Sequence, residues 1–268
     1  MATKKPAAAP AAKTAAKPLK ATVEAKTAIA VRKPTGGAIV SIQEALKAQV
    51  AGMSERTQPA GGNKIKLSPG KFSLPDGTEA QGELQLVVVD FVTVHKFYEG
   101  KYDSKNIVPP GCFAIGVNPK QMTPSANSPN LQSESCQGCP MNEFGSSGEG
   151  KACKNGRLLA VLPPDADDKT DMWLLEVSPT ALKNFDGYVN SVARQFQMPP
   201  VGVITTVSLD PNVDYPKLVF SDPQPNNNLE LSFARQGEAR EMLNVEPDVS
   251  GWQAPNTKGR AAAKPVRR

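Results

Sequence analysis

Glu83-Leu84-Gln85-Leu86-Val87-Val88-Val89-Asp90-Phe91-Val92-Thr93-Val94-His95-Lys96-Phe97-Tyr98 is the longest strand-like run in the chain. Its first half alternates, with Leu84, Leu86 and Val88 on one face and Glu83 and Gln85 on the other. Val87, Val89 and Phe91 then bring apolar side chains to the second face. That change of pattern predicts a strand that bends or bulges as it passes from one packed layer to the next. Small closed barrels need such a strand.

The segments around it read in the same terms. Upstream, Lys64-Ile65-Lys66-Leu67 alternates, and Phe72-Ser73-Leu74 lies between the Pro69-Gly70 and Pro75-Asp76-Gly77 turns. Downstream, Phe113–Val117, Leu158–Leu162 and Met172–Val177 are short apolar strands. A helix over 179–197 follows, with Ser178 as its cap and Pro179 at its first position. Leu182, Phe185, Val189, Val192, Ala193 and Phe196 recur along it at helical spacing, which marks a buried stripe. Strands over 201–209 and 217–221 come next, then a last helix over about 229–243. Before the strand-rich region, Ser41-Ile42-Gln43-Glu44 has the form of a capping box and predicts a short helix over about 42–51.

All four cysteines fall within residues 112–153: Cys112, the pair Cys136-Gln137-Gly138-Cys139, and Cys153. Two thiolates separated by two residues can turn onto one metal ion, with Gly138 giving a loose backbone and Pro140 closing the turn. Cys112 and Cys153 would complete a tetrahedral four-cysteine zinc site. Four thiolates leave no place for a water, so such a zinc is structural. Two disulfides or four separate buried thiols are the alternatives. The absence of an export signal argues for a reducing, cytoplasmic setting, or the host cytoplasm if the chain is phage-encoded. The loop joining these cysteines is rich in Gly and Ser and would need a metal to shape it. Its Gly145–Lys151 stretch lacks the hydroxyl that must follow a P-loop lysine, because Ala152 stands there.

Charge is unevenly spread over the 268 residues. The first forty carry eight Lys or Arg against Glu24, a sum of +7, and residues 258–268 carry +5; the whole chain is +5, so the body between them is −7. Basic arms on an acidic body suit a protein that touches a polyanion. Residues 1–37 and 251–268 are poor in large apolar groups and read as disordered basic tails. Residues 38–63 then form a short helix and linker, and 64–250 the folded domain. No apolar run is long enough to span a membrane.

Aromatic rings give bases a stacking surface, and nearby cations hold phosphates. Lys96, Phe97, Tyr98, Lys101 and Tyr102 combine the two around the end of the long strand. Phe144, Lys151, Lys154 and Arg157 do the same in the cysteine loop. Core packing accounts equally well for any one of the rings. A single histidine, His95, no G-x-S-x-G motif and carboxylate pairs confined to a hydrophilic turn argue against an enzyme and against a small-molecule substrate.

With 83–97, 113–117 and 157–162 taken together with 172–177 as three strands, then the helix and the strands over 201–209 and 217–221, the element order within residues 64–222 is that of a five-stranded oligonucleotide-binding (OB) barrel. With the cysteine-bearing insertion and the Val177–Lys183 lead into the helix, the chain resembles the phage-type zinc-containing single-stranded-DNA-binding proteins. The resemblance implies a mainly β fold with some α, formed by an OB-like barrel with a zinc loop. It also implies non-sequence-specific binding of single-stranded DNA in replication, recombination or repair, beside proteins of those processes. The best-known member of that group has a histidine among its zinc ligands and an acidic tail, where this chain offers four cysteines and a basic one. A structural or adaptor role, with the tails on duplex DNA, is the alternative.

Overall fold

The computed structural model describes residues 62–100 and 107–254. The expected helix over 42–51, Lys101, Tyr102 and nearly all of both basic tails lie outside them. The strands are β1 (Lys66–Ser68), β2 (Lys71–Ser73), β3 (Glu79–Gln81), β4 (Glu83–Phe97), β5 (Cys112–Gly116), β6 (Cys153–Leu162), β7 (Trp173–Val177), β8 (Val203–Leu209) and β9 (Leu218–Pro225). The helices are α1 (Leu182–Phe196), α2 (Leu229–Ala234) and α3 (Gln236–Leu243). The fold is mainly β with some helix.

β4 organises the main sheet, whose order is β7-β6-β4-β8-β9, with β5 also pairing β4. Its first residues, Glu83 to Leu86, pair with β8, and its remainder, Val87 to Phe97, pairs with β6. The register shifts between Val88 and Asp90. An extra residue there bends the strand and sharpens its twist, which is why the apolar pattern changes face at that point. The OB-like barrel expected from the sequence is not closed: among the described residues β7 and β9 are the ends of the path and do not pair with each other.

Both halves of the bent sheet bury side chains in one core. Val88, Leu159, Val161, Leu175 and Val177 come from one half and Leu86, Val203, Val207, Leu218 and Phe220 from the other, with Phe185, Tyr188 and Val192 of α1 between them. Phe185 meets Phe91 edge-on at 5.2 Å and Phe220 at 5.0 Å. The Tyr188 hydroxyl donates to Thr205 Oγ1 at 2.8 Å, so its polar end is satisfied inside the core. The reverse face of β4 and β6 carries a second cluster, in which Val89, Val92, Val94, Ala160 and Leu162 pack beneath Ala239 and Leu243 of α3.

Several boundaries differ from the sequence reading. Ala181, not Ser178, precedes the first turn of α1 and caps it without a side-chain bond. The Ser178 and Thr180 hydroxyls instead bond each other at 3.0 Å. Pro200–Gly202 forms a short 3₁₀ turn before β8. The last helix divides at Arg235, whose guanidinium turns back to the Thr170 carbonyl at 2.6 Å and to Glu238. β1, β2 and β3 form a separate three-stranded sheet, whose third strand, Glu79-Ala80-Gln81, carries no apolar alternation to announce it. The folded body also runs past residue 250. Glu246 accepts bonds from Ser125 and Asn127, and Trp252 reaches the Gly111 backbone beside Glu99. No helix among the described residues is long and apolar enough to cross a membrane.

Candidate metal centre and nucleic-acid surface

The cysteines converge because of where two of them sit in the ladder. Phe97, at the end of β4, is opposite Cys112 in β5 and opposite Cys153 in β6. Residues directly opposite share a face of the sheet, so both sulfurs flank one ring, and the three side chains are buried together. The chain between β5 and β6 brings the other pair back over that face. Gly138, at φ 76°, makes the turn between Cys136 and Cys139. The Cys136 amide donates to the Met122 carbonyl at 3.1 Å, and Asn142 Nδ2 donates to the Cys136 carbonyl at 2.9 Å.

All four cysteines line one small cavity of about 10 Å³, together with His95, Met141 and Asn142. That is room for about one small ion or water. The four are free thiols rather than disulfides. Burial, and then the neighbouring sulfurs, push the Cys136 thiol up to about 11 and the Cys153 thiol up to about 12. Thiols crowded in this way hold their protons until a cation enters, and a coordinating metal removes them. The donor set fits a closed four-sulfur zinc site. As the side chains stand, among the described residues no group of three or more His, Cys, Asp or Glu is arranged to hold a metal ion. The sulfurs face one space without having closed on it.

The connecting loop is more ordered than its composition suggests. The Ser125 amide donates to the Phe113 carbonyl at 2.8 Å, Asn130 to Gly111 at 2.7 Å, and Ser128 Oγ accepts from the Phe113 amide at 3.1 Å. Ser146 Oγ accepts from the Ala152 amide at 2.9 Å. The bonds to β5 come from residues 125–130, upstream of the Gly- and Ser-rich stretch that begins at Cys136.

His95, weighed from the sequence as a ligand that could replace a cysteine, lies beside the four of them. It shares the face of Phe97, two positions along β4, and is opposite Ala114 and Asn155. It is 4% exposed, and its Nδ1 has no hydrogen-bond partner. Burial, then the charges of Lys151 and Arg157, lower its pKa to about 4, so the ring is neutral near pH 7.

The residues expected to hold nucleic acid divide into two groups. Phe97 is 8% exposed and enclosed by sulfur, and so presents no ring face to a base. Arg157 turns inward to Asp186 of α1 at 3.1 Å, with 11% of its side chain exposed. Lys151 donates to Asn142 Oδ1 at 3.3 Å and braces the cysteine loop. As the side chains stand, these three make internal contacts.

Lys96, Tyr98 and Lys154 remain together on the reverse side of the same strands. Lys96 and Lys154 are directly opposite each other in the β4–β6 ladder. Tyr98 is 40% exposed, and burial, then the charge of Glu176, push its phenol up to about 12. Phe144, in the cysteine loop, is 79% exposed. The structure adds two residues that no sequence signal marked, Lys64 and Glu176. The Lys96 ammonium donates to Glu176 at 2.9 and 3.0 Å, and the Lys64 ammonium donates to the same carboxylate.

No protein-family model matches this chain, and neither a curated protein nor a solved structure matches it.

Proposed function

We propose that the chain is a non-enzymatic binder of single-stranded nucleic acid. More particularly, it acts as a phage-type zinc-containing single-stranded-DNA-binding protein in replication, recombination or repair. The observation that carries this reading is the shared strand. β4 bends at Val88–Asp90 and pairs with β6 in one half and β8 in the other, and α1 lies in sequence between β7 and β9's partner β8. The order β4, β5, β6, β7, α1, β8, β9 has one strand more before the helix than the three strands, helix and two strands of the OB fold, whose plan of gripping strands across sheet and loops it otherwise follows. Lys96, Tyr98 and Lys154, with the exposed Phe144 ring, supply the cations and stacking surfaces that such binding uses. Cys112, Cys136, Cys139 and Cys153 would hold one structural zinc, which pins the strand ends carrying those groups.

Anisotropy of a labelled oligo-dT tests this directly. Binding should be tight at low salt and fall steeply as salt rises, and duplex of the same length should compete poorly. Absence of binding at low salt refutes the reading.

The basic ends, +7 and +5 against a body of −7, favour a second reading, an adaptor that coats duplex DNA through its tails. Deleting residues 1–37 and 258–268 separates the two. Single-strand binding survives the deletion in the first case, and all DNA binding disappears in the second.

A further inference from the structure

Lys96 and Lys154 stand directly opposite each other in adjacent strands. Two like charges so placed destabilise a sheet. Lys64 joins them because Asn63 and Ile65 bond the backbone of Leu174 in β7. Two ammonium groups, those of Lys64 and Lys96, thus meet on a single carboxylate, Glu176, while the Lys154 ammonium donates to the Lys151 carbonyl at 2.9 Å.

Glu176 reaches them by crossing a strand. It lies on β7 opposite Leu158 of β6, and the next β6 residue on that face is Gly156, opposite Val94. Gly156 has no side chain to block the way. A Cβ there would lie 2.7 Å from the Val177 carbonyl oxygen, so the position has no room for one. Through this gap the carboxylate takes bonds from Lys96 on both oxygens and from Lys64 on Oε2. Burial opposes its charge, but Lys96 and Lys64 outweigh burial and hold it below the usual carboxylate range. Two cations thus share one anion, an excess of positive charge next to the exposed ring of Tyr98.

A phosphodiester resembles a carboxylate in what it offers a lysine: one negative charge spread over two oxygens. We infer that Glu176 is an internal counter-anion of a DNA-backbone site formed by Lys64 and Lys96. It keeps the two lysines that it bonds extended toward the position of a phosphate and competes with that phosphate for them. Glu176 thereby sets how tightly the site holds single-stranded DNA, and Lys64 is one of its phosphate contacts. This inference rests on the single-strand-binding reading above.

Salt titrations of oligo-dT binding by the full chain test it, with wild type, Glu176→Gln, Lys64→Gln and a control, Glu230→Gln. The control makes the same change in net charge at an exposed position on α2, outside the lysine cluster. For single strands the log–log slope changes by about 0.7 for each phosphate contact. Glu176→Gln should bind several-fold more tightly at low salt, with a slope steeper by about 0.7. Lys64→Gln should weaken binding and flatten the slope by about the same amount. Glu230→Gln should change the slope little. Weaker binding or an unchanged slope in Glu176→Gln overturns the inference, as does an equal response from Glu230→Gln. Should Glu176→Gln fail to fold, Lys64→Gln decides: an unchanged slope refutes the site, and a flatter one upholds it. Wild-type protein that ignores oligo-dT at low salt overturns the functional reading itself, an outcome distinct from all of these.

Discussion

Replacing Cys139 by Ser keeps the size of the side chain and removes one soft ligand from a cavity of about 10 Å³. If four sulfurs hold one zinc, wild type should carry one equivalent and the variant far less. The stability effect follows from mass action. With free zinc at a hundred times the dissociation constant, binding to the folded state alone contributes about 2.7 kcal/mol. In a domain of this size each kcal/mol moves Tm by about 2–4 °C, so zinc should raise wild-type Tm by roughly 5–11 °C and the variant hardly at all. The hydrogen bonds between the loop and β5 predict how the loss is distributed. Amide exchange should accelerate in residues 133–153 more than in 118–130, where Ser125, Ser128 and Asn130 are tied to Phe113 and Gly111. Metal analysis after extensive dialysis, calorimetry with and without zinc, and exchange by mass spectrometry supply the three readouts. Stoichiometric zinc retained by Cys139→Ser, or none bound by wild type in excess zinc, would refute the four-sulfur centre.

Three further outcomes are expected. Gly156→Ala forces a methyl to 2.7 Å from the Val177 carbonyl oxygen, and should cost about 1–3 kcal/mol by urea unfolding as β6 and β7 move apart. Phe144→Ala and Tyr98→Ala should each weaken oligo-dT binding by about 1–3 kcal/mol if the ring stacks on a base. A ring whose loss leaves the affinity unchanged is not in the path of the strand. The third concerns Asp210, whose carboxyl is lowered from 3.8 to about 2, first by the Lys217 bond and then by Asn212. The folded state therefore favours the ionised form. Its contribution to stability is complete above 3.8 and disappears as pH falls toward 2, and Asp210→Asn should flatten that part of the acid limb in thermal unfolding between pH 2 and 6.

The bend in β4 was legible because burial on two sides leaves a mark in composition: Leu86 and Val88 face one cluster, and Val89 and Val92 the other. The convergence of the cysteines was legible from their clustering in a short stretch of chain. What the sequence could not show was direction. Phe97 and Lys96 are neighbours of similar promise as ligand contacts, yet the ladder turns one ring into the sulfur cluster and the ammonium to the opposite side. Arg157 reads as a free cation until α1 places Asp186 beside it. Lys64 and Glu176 lie 112 residues apart and meet only through tertiary structure. Closure failed to follow from element order because order fixes which strands are neighbours, while a barrel also needs its two edge strands to meet.

The four cysteines and Lys96 lie on two sides of one strand end, and this predicts that metal binding at the one is coupled to DNA binding at the other. Alternation along β4 sends His95 and Phe97 to the cysteine side and Val94 and Lys96 to the other. Cys112 and Cys153 are the terminal rungs of the two ladders that flank Phe97, and Lys154 is the next residue after Cys153. A metal joining those rungs would hold three strand ends in register, and with them the facing pair Lys96 and Lys154. Withdrawing it should loosen the ends first, since strand termini open more readily than the core. Zinc-free protein should therefore bind oligo-dT more weakly and with a shallower salt slope, while the core around Phe185 keeps its near-ultraviolet dichroism. Restoring zinc should recover both affinity and slope. An unchanged salt slope in protein shown to be metal-free would separate the two sides of the strand and leave the cysteines with a purely local role.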